Sequence, residues 1–387
     1  MDKIIAAMTT TLASVVCEKD FPAEQIEMLS KEDFRRLVKL SETHALGHML
    51  AFAFYNQKVS VDEQVYNHLD QRMMMAVFRS EQMDYELQRL CQALETAKIL
   101  HIPLKGAVIR NYYPEPWMRT SCDIDILVKE EDLLAAINLL VEEYGYSKGE
   151  LGKHDVSLSS PTGTHLELHF DLVECGRANA SNAVLQTVWE NCNPRKGFQY
   201  SLEMNDAMFY FYHIAHMAKH VEVGGCGVRP FLDLWLMEHK VTHSQVERDR
   251  LLKKGALLQF AKAARRLSEI WFCNAAMDEV SYALQEFLIT GGIYGSQTNR
   301  IAIQQHKHGG KIRYALSKIF ISYDELKVHF PVIKKHPILM PFMEVRRWIK
   351  LLFGGGIKRS VAELTVNANM PEEQTRRTAK LLDSIGL

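Results

Sequence analysis

Two aspartates set two apart, Asp123 and Asp125, interrupt the otherwise apolar run Cys122-Asp-Ile-Asp-Ile-Leu-Val128. This pair constrains the fold more tightly than any other feature of the chain. The run reads as a buried strand, and successive strand side chains point to opposite faces. Both carboxylates therefore project from one face, and Ile124 and Ile126 from the other. Paired carboxylates on an apolar strand repel each other and lose hydration, which is costly unless positive charge sits between them. A hard divalent cation would bridge them, because Mg²⁺ takes carboxylate oxygens and keeps positions open for phosphate. The plainer reading is a solvated edge strand whose acids pair with Arg119 or Lys105.

The surroundings of the pair divide the chain. Residues 1–98 are expected to be an N-terminal helical region, with apolar residues at three- and four-residue spacing in Phe34–Leu40 and Met73–Leu100. The mildly apolar run from Ile4 to Val16 fits an amphipathic first helix better than a targeting segment. The Met-rich stretch Arg72–Phe78 is expected in the core. Residues 99–203 change pattern. An extended His101–Lys105 is broken by Gly106, a helical Ala107–Tyr113 follows, and the strand at 122–128 comes next. Glu130-Glu-Asp132 opens a helix running to about Tyr144. Strands are predicted at Asp155–Ser159 and Thr164–Phe170, joined by the turn Ser160-Pro-Thr-Gly163.

Asn205 is a good N-cap, and helices are expected over Ala207–Val221 and Phe231–His239, separated by Gly224-Gly-Cys-Gly227. The expected class is α+β, with a small mixed-sheet core flanked by helices over 99–203. A helical domain over 204–295 would close the cleft, and a basic helical region would occupy 296–387. Breaks are predicted at Gly291-Gly292, at Pro331, Pro337 and Pro341, and at Gly354-Gly-Gly356.

Composition narrows the class. Hydrophobic content of 47% and charged content of 24% exclude a disordered chain. Seven scattered cysteines without a C-x-x-C pair fit reduced thiols in a cytoplasmic protein, not a disulfide framework. No run reaches the roughly 18 apolar residues of a membrane span, so a soluble protein is expected. The net charge of −1 hides an asymmetry, since Arg300–Leu387 holds sixteen Lys/Arg against seven Asp/Glu. Such a region can meet a polyanion, an acidic membrane surface or the protein's own acidic part.

On the predicted strand Thr164–Phe170, His165, Glu167 and His169 share one face. A third carboxylate thus stands inward on a second strand. Three acids from two strands of one small sheet are what a two-metal phosphoryl-transfer site needs. Lys105-Gly106 adds a glycine turn before a helix, whose backbone N–H groups can hold phosphate oxygens.

With these residues the chain resembles the nucleotidyltransferase superfamily that includes DNA polymerase beta and the kanamycin nucleotidyltransferases. The likeness is to its bacterial group of uncharacterised nucleotidyltransferases. It rests on Leu104-Lys-Gly106, Tyr113-Pro-Glu-Pro116, Arg119, Asp123–Val128 and Glu167-Leu-His169. It continues through His216–His220, Arg229, Asp233, Gly291–Gly295 and the stretch from Tyr323 to Pro341. The resemblance implies Mg²⁺, with Mn²⁺ as a substitute, and transfer of NMP from an NTP such as ATP to a hydroxyl, with release of pyrophosphate. It makes Asp123, Asp125 and Glu167 the catalytic metal ligands. Lys105, Gly106, Arg119, Lys219 and Arg229 would bind phosphate. His169, His216, His220 and Asp233 would support these groups from behind. The chain departs from the superfamily in carrying Lys-Gly, seventeen residues ahead of Asp123, where Gly-Ser or Gly-Gly is usual. Lys105 would then act as a point charge on the phosphates.

Other readings stay open. His213, His216 and His220 share a helix face and would suit zinc, or they buttress helix packing. A non-catalytic nucleotide-binding regulator or scaffold would keep the same fold. The acceptor is expected to be a small molecule, glycan or protein hydroxyl, with tRNA as the alternative through the basic C-terminal region.

Overall fold

Apolar alternation becomes a mixed sheet of five strands, β1 (His101–Pro103), β2 (Asp123–Val128), β3 (Ser147–Leu151), β4 (Asp155–Ser159) and β5 (His165–His169). Their order is β1-β2-β5-β4-β3. β2 and β5 run parallel, with Asp123 beside His165 and Asp125 beside Glu167, and the remaining pairs are antiparallel. Ile124, Ile126 and Val128 of β2, Val156 and Leu158 of β4, and Leu166 and Leu168 of β5 turn to one face and enter the core. The predicted alternation of β2 and β5 is what the sheet displays. A parallel pair needs a crossover, and the chain makes it through the segment between β2 and β5.

The computed structural model describes all residues except 1, 173–178 and 354–356, so the break predicted at Gly354-Gly-Gly356 lies outside the described residues. Helices α1 (Lys3–Val16), α2 (Ala23–Glu27), α3 (Lys31–Thr43), α4 (Gly47–Asn56) and α5 (Glu63–Thr96) precede the sheet. α6 (Gly106–Ile109) and α7 (Leu133–Glu142) lie within it in sequence. Then come α8 (Asn179–Leu185), a two-stranded ribbon of β6 (Cys192–Pro194) and β7 (Leu202–Met204), α9 (Asp206–Glu222), α10 (Arg229–His239), α11 (Gln245–Lys254) and α12 (Leu258–Cys273). The architecture is α+β.

α5 begins at Asp62, whose side chain accepts from the Val65 amide, and spans 34 residues, about 51 Å at 1.5 Å per residue. Met83, Leu87, Leu90, Cys91 and Leu94 pack its C-terminal half onto the apolar face of the sheet, beside Ala136, Ile137 and Leu140 of α7. The N-terminal half corrects an expectation. Met74, Met75 and Phe78 are exposed, and from this stretch Ala76 is buried. Consecutive residues advance by about 100° around a helix, so a run of three methionines cannot share one buried stripe.

The described chain divides into two units, Met1–Ala218 with Val228–Tyr282, and Lys219–Gly227 with Ala283–Leu387. The sheet and its helices belong to the first. The second contains most of α13 (Glu279–Gly291) and α14 (Gln297–His308), α15 (Lys311–Ile319), α16 (Tyr323–His329), α17 (Met340–Phe353), α18 (Ile357–Asn369) and α19 (Glu372–Ile385). Ile301, Tyr314 and Met370 form a small core there. The predicted break at Gly291-Gly292 is real, and Gly295 beside it must be glycine. Its φ is +74°, and a Cβ would come within 2.5 Å of the Gly224 carbonyl carbon. Among the described residues, no helix is long and apolar enough to cross a membrane.

Candidate active site

The parallel register of β2 and β5 brings an acid from each strand side by side on the face opposite the core. Asp125 Oδ1 accepts from His169 Nε2 at 2.9 Å, and Glu167 Oε2 lies 3.5 Å from the same nitrogen. Lys105 Nζ is 3.6 Å from Asp125 Oδ2. One ligand atom from each of Asp125, Glu167 and His169 falls within 4.8 Å of the others. His154 stacks on His169 with ring centroids 5.9 Å apart and 15° between planes. Asp123 stands two residues along β2 beside this group, facing the same way.

The charges in this group pull against one another. Burial, then Asp125 and Glu167, push the Asp123 carboxyl above its ordinary value. Burial acts the same way on Asp125, but Lys105 and the hydrogen bond from His169 outweigh it and hold the carboxyl well down. The His169 hydrogen bond lowers Glu167. Burial disfavours charge on His169 and Lys105, yet both are raised. For His169 the hydrogen bonds to Asp125 and Glu167 prevail, and for Lys105 the field of Tyr212, Asp125, Asp123 and Glu167 does. Three acids thus face two cations, and the least relieved acid is Asp123.

Lys105-Gly106 differs from a simple glycine turn. The unusual backbone falls on Lys105, with φ +37° and ψ −111°, and not on Gly106. A non-glycine residue there is strained, and such strain persists where surrounding structure enforces it. The Leu104 amide donates to the Asp125 carbonyl at 2.9 Å and ties the loop to β2. The space at Gly106 is tight, because a Cβ would sit 3.2 Å from Ser121 Oγ and 3.4 Å from its Cβ, so a larger residue would require Ser121 to give way. α6 is a single turn of four residues, so it brings little dipole to the loop.

Arg119 is engaged elsewhere than on the strand acids. Its Nε donates to Asp233 Oδ1 at 2.8 Å and Oδ2 at 3.0 Å, and its Nη1 to the Thr120 carbonyl at 3.0 Å. Tyr113 donates its hydroxyl to Asp233 Oδ1 at 2.8 Å. Arg229 Nη1 donates to the same Thr120 carbonyl at 2.7 Å, while its buried Nε has no partner. Burial, then Arg119, lower Arg229 to about 10. The direct counter-charges at Asp125 are Lys105 and His169, the second of these expected merely behind the acids. Sequence alone assigns Tyr113 and Thr120 no part in binding or catalysis. Tyr113 meets Asp233 120 residues away, and the Thr120 carbonyl accepts from Arg229 109 residues away as well as from adjacent Arg119.

The histidine face of α9 resolves into separate contacts. His213 Nε2 meets the Pro230 carbonyl at 3.0 Å, and burial lowers its pKa. The His216 ring lies 6.4 Å from that of Tyr212. Lys219 and His220 occupy the last turn of α9, within the second unit.

The donor set fits a hard divalent cation. Asp125 and Glu167 offer oxygens on one side of the sheet, and the raised Asp123 carboxyl marks negative charge with too little compensation. His169 adds a nitrogen that Mn²⁺ accepts more readily than Mg²⁺ does.

No curated protein and no solved structure matches the chain significantly. A family model described as "Uncharacterised nucleotidyltransferase" matches residues 30–273, a span that includes Lys105, both strand aspartates, Glu167, His169, Arg119 and Asp233. The chain belongs to this family of uncharacterised nucleotidyltransferases, and nucleotidyl transfer is the class of activity that membership carries.

Proposed function

We propose that the chain transfers NMP from an NTP to a hydroxyl acceptor and releases pyrophosphate, with Asp123, Asp125 and Glu167 holding Mg²⁺ or Mn²⁺. The observation that carries this reading is the β2–β5 register, which sets Asp125 beside Glu167 on the non-core face. Bound there, the ion would neutralise charge on the triphosphate and the leaving pyrophosphate.

The chain's own residues supply position and charge. Asp125, held well down by Lys105 and His169, stays ionised at neutral pH. His169 orients it through Nε2. Glu167, half-buried, would accept the proton of the acceptor hydroxyl as its oxygen bonds to the α-phosphorus and the bond to the β-phosphate breaks. Lys105 would offer its ammonium to phosphate oxygens, on a loop that the Leu104–Asp125 backbone hydrogen bond ties to β2. Arg229, with a buried unpartnered Nε, is a further phosphate-binding candidate.

A small-molecule, glycan or protein hydroxyl is the preferred acceptor. Calorimetry with each of the four NTPs, with and without Mg²⁺, tests the reading. NTP binding that requires the metal is expected; binding indifferent to Mg²⁺ would instead indicate a nucleotide-binding scaffold. Incubating labelled NTPs with cell extract then identifies the acceptor by the fraction that becomes labelled.

A further inference from the structure

A second cluster of ligating side chains lies between α10 and α12, sharing no residue with the acids on the sheet. His239 ends α10, while Glu269 and Cys273 lie one turn apart on α12, hence on one face. One ligand atom from each falls within 4.8 Å of the others. His239 Nε2 is 3.3 Å from Glu269 Oε1. We propose that these three residues form a Zn²⁺ site.

An ion pair between His239 and Glu269 would account for the 3.3 Å contact, and the way the remaining atoms are held is compatible with a metal ion in its place. His239 Nδ1 lies 2.9 Å from the Trp235 carbonyl. A carbonyl can only accept, so Nδ1 carries a proton, and a metal ion would take the place of any proton on Nε2, which lies toward the cluster. The Trp235 indole N–H donates to Cys273 Sγ at 3.2 Å. Indole nitrogen is a donor only, so the sulfur accepts, a contact open to thiol and thiolate alike. Burial and the bond to Glu269 raise the thiol, so a metal ion would have to displace its proton. The Trp235 ring also stacks on His239, with centroids 4.3 Å apart and 13° between planes. One tryptophan thus fixes the tautomer and plane of the imidazole and supports the sulfur, as the residues behind metal ligands do.

The scaffold is rigid. Ser268 Oγ donates to the Phe231 carbonyl at 3.0 Å, and Phe231 meets Trp271 edge-on, which locks α10 to α12 beside the cluster. Nitrogen, oxygen and sulfur donors together suit Zn²⁺ and not Mg²⁺ or Ca²⁺, which take oxygen. His239 and Glu269 side chains are 37% and 38% exposed, which leaves a fourth position for water. On binding, the Cys273 thiol proton passes to solvent.

Cobalt titration of the full chain, first stripped with a chelator, tests this. The thiolate-to-cobalt charge-transfer band should saturate at one sulfur-bound Co²⁺ per chain, apart from any Co²⁺ taken without sulfur by the acids on the sheet. Zn²⁺ equimolar with the added Co²⁺ should abolish the band and raise the Tm. Cys273→Ser should lose the band while circular dichroism shows a folded chain. Glu269→Gln should keep the band with weaker binding. Trp235→Phe, which removes the N–H and keeps the ring, should weaken Zn²⁺ binding by about 10- to 100-fold. Absence of the band in the wild-type chain, or its survival in Cys273→Ser, would overturn the proposal.

Discussion

Two buried groups of charges, one around Asp233 and one around Asp125, are built in opposite ways. Asp233, fully buried, takes three hydrogen bonds of 2.8 to 3.0 Å from Arg119 and Tyr113. Asp125, nearly as buried, has one short partner in His169, while Lys105 stands off at 3.6 Å and Asp123 is pushed up. The first group is closed around its acid and fastens the segment before β2 to α10; the second has charge to spare. A buried charge that is fully paired serves the fold, and one that is incompletely paired is poised for a ligand. Arg229 is the open end of the first group, through its unpartnered Nε.

Substitution at Asp233 should have the largest effect on stability. Asp233→Asn leaves two buried arginines without their carboxylate and should cost about 3–5 kcal/mol, read as a lower urea midpoint at constant m-value. A loss below about 1 kcal/mol, the worth of one ordinary hydrogen bond, would remove the distinction between the groups.

The pH response sharpens it at the open group. His169 is raised above its ordinary 6.5, so its charge contributes stability that is complete below that value and is lost as pH rises through the folded value. Asp125 and Glu167 are depressed, so their contribution is present above their ordinary 3.8 and 4.5 and is lost on acidification. The His169 proton competes with a cation for the same carboxylates. Mn²⁺ affinity, followed by electron paramagnetic resonance, should therefore climb with pH by up to about tenfold per unit until His169 is neutral. A flat profile across that range would mean His169 does not gate the site. The smallest effect belongs to the closed group, where Tyr113→Phe deletes one of three bonds to Asp233 and should cost about 1 kcal/mol, measured by thermal unfolding.

The open group was largely legible in the sequence, because it is written in local periodicity. Alternation in β2 and β5 alone places Asp123, Asp125, Glu167 and His169 on one face. The closed group was not, since Arg119 and Asp233 are joined by tertiary packing across 114 residues. β3 escaped notice because Ser147-Lys-Gly-Glu-Leu151 is exposed at every position and carries no apolar alternation. The conformation of Lys105 was hidden for another reason: a positive φ beside a glycine is assigned to the glycine. The Met-rich run misled because hydrophobic composition does not say how wide a stripe the neighbouring helix covers.

The proposed function requires the acids on β2 and β5 to serve catalysis at some cost to the fold. It is tested most directly by Asp123→Asn, assayed for Mg²⁺- and NTP-dependent pyrophosphate release with labelled acceptor extract and, on the same sample, for Tm. Removing a carboxylate whose charge is disfavoured by burial, Asp125 and Glu167 should leave Tm unchanged or higher. Turnover should fall by more than about 100-fold, beyond the loss that residues supporting a metal site cause. Full activity in Asp123→Asn would contradict the account.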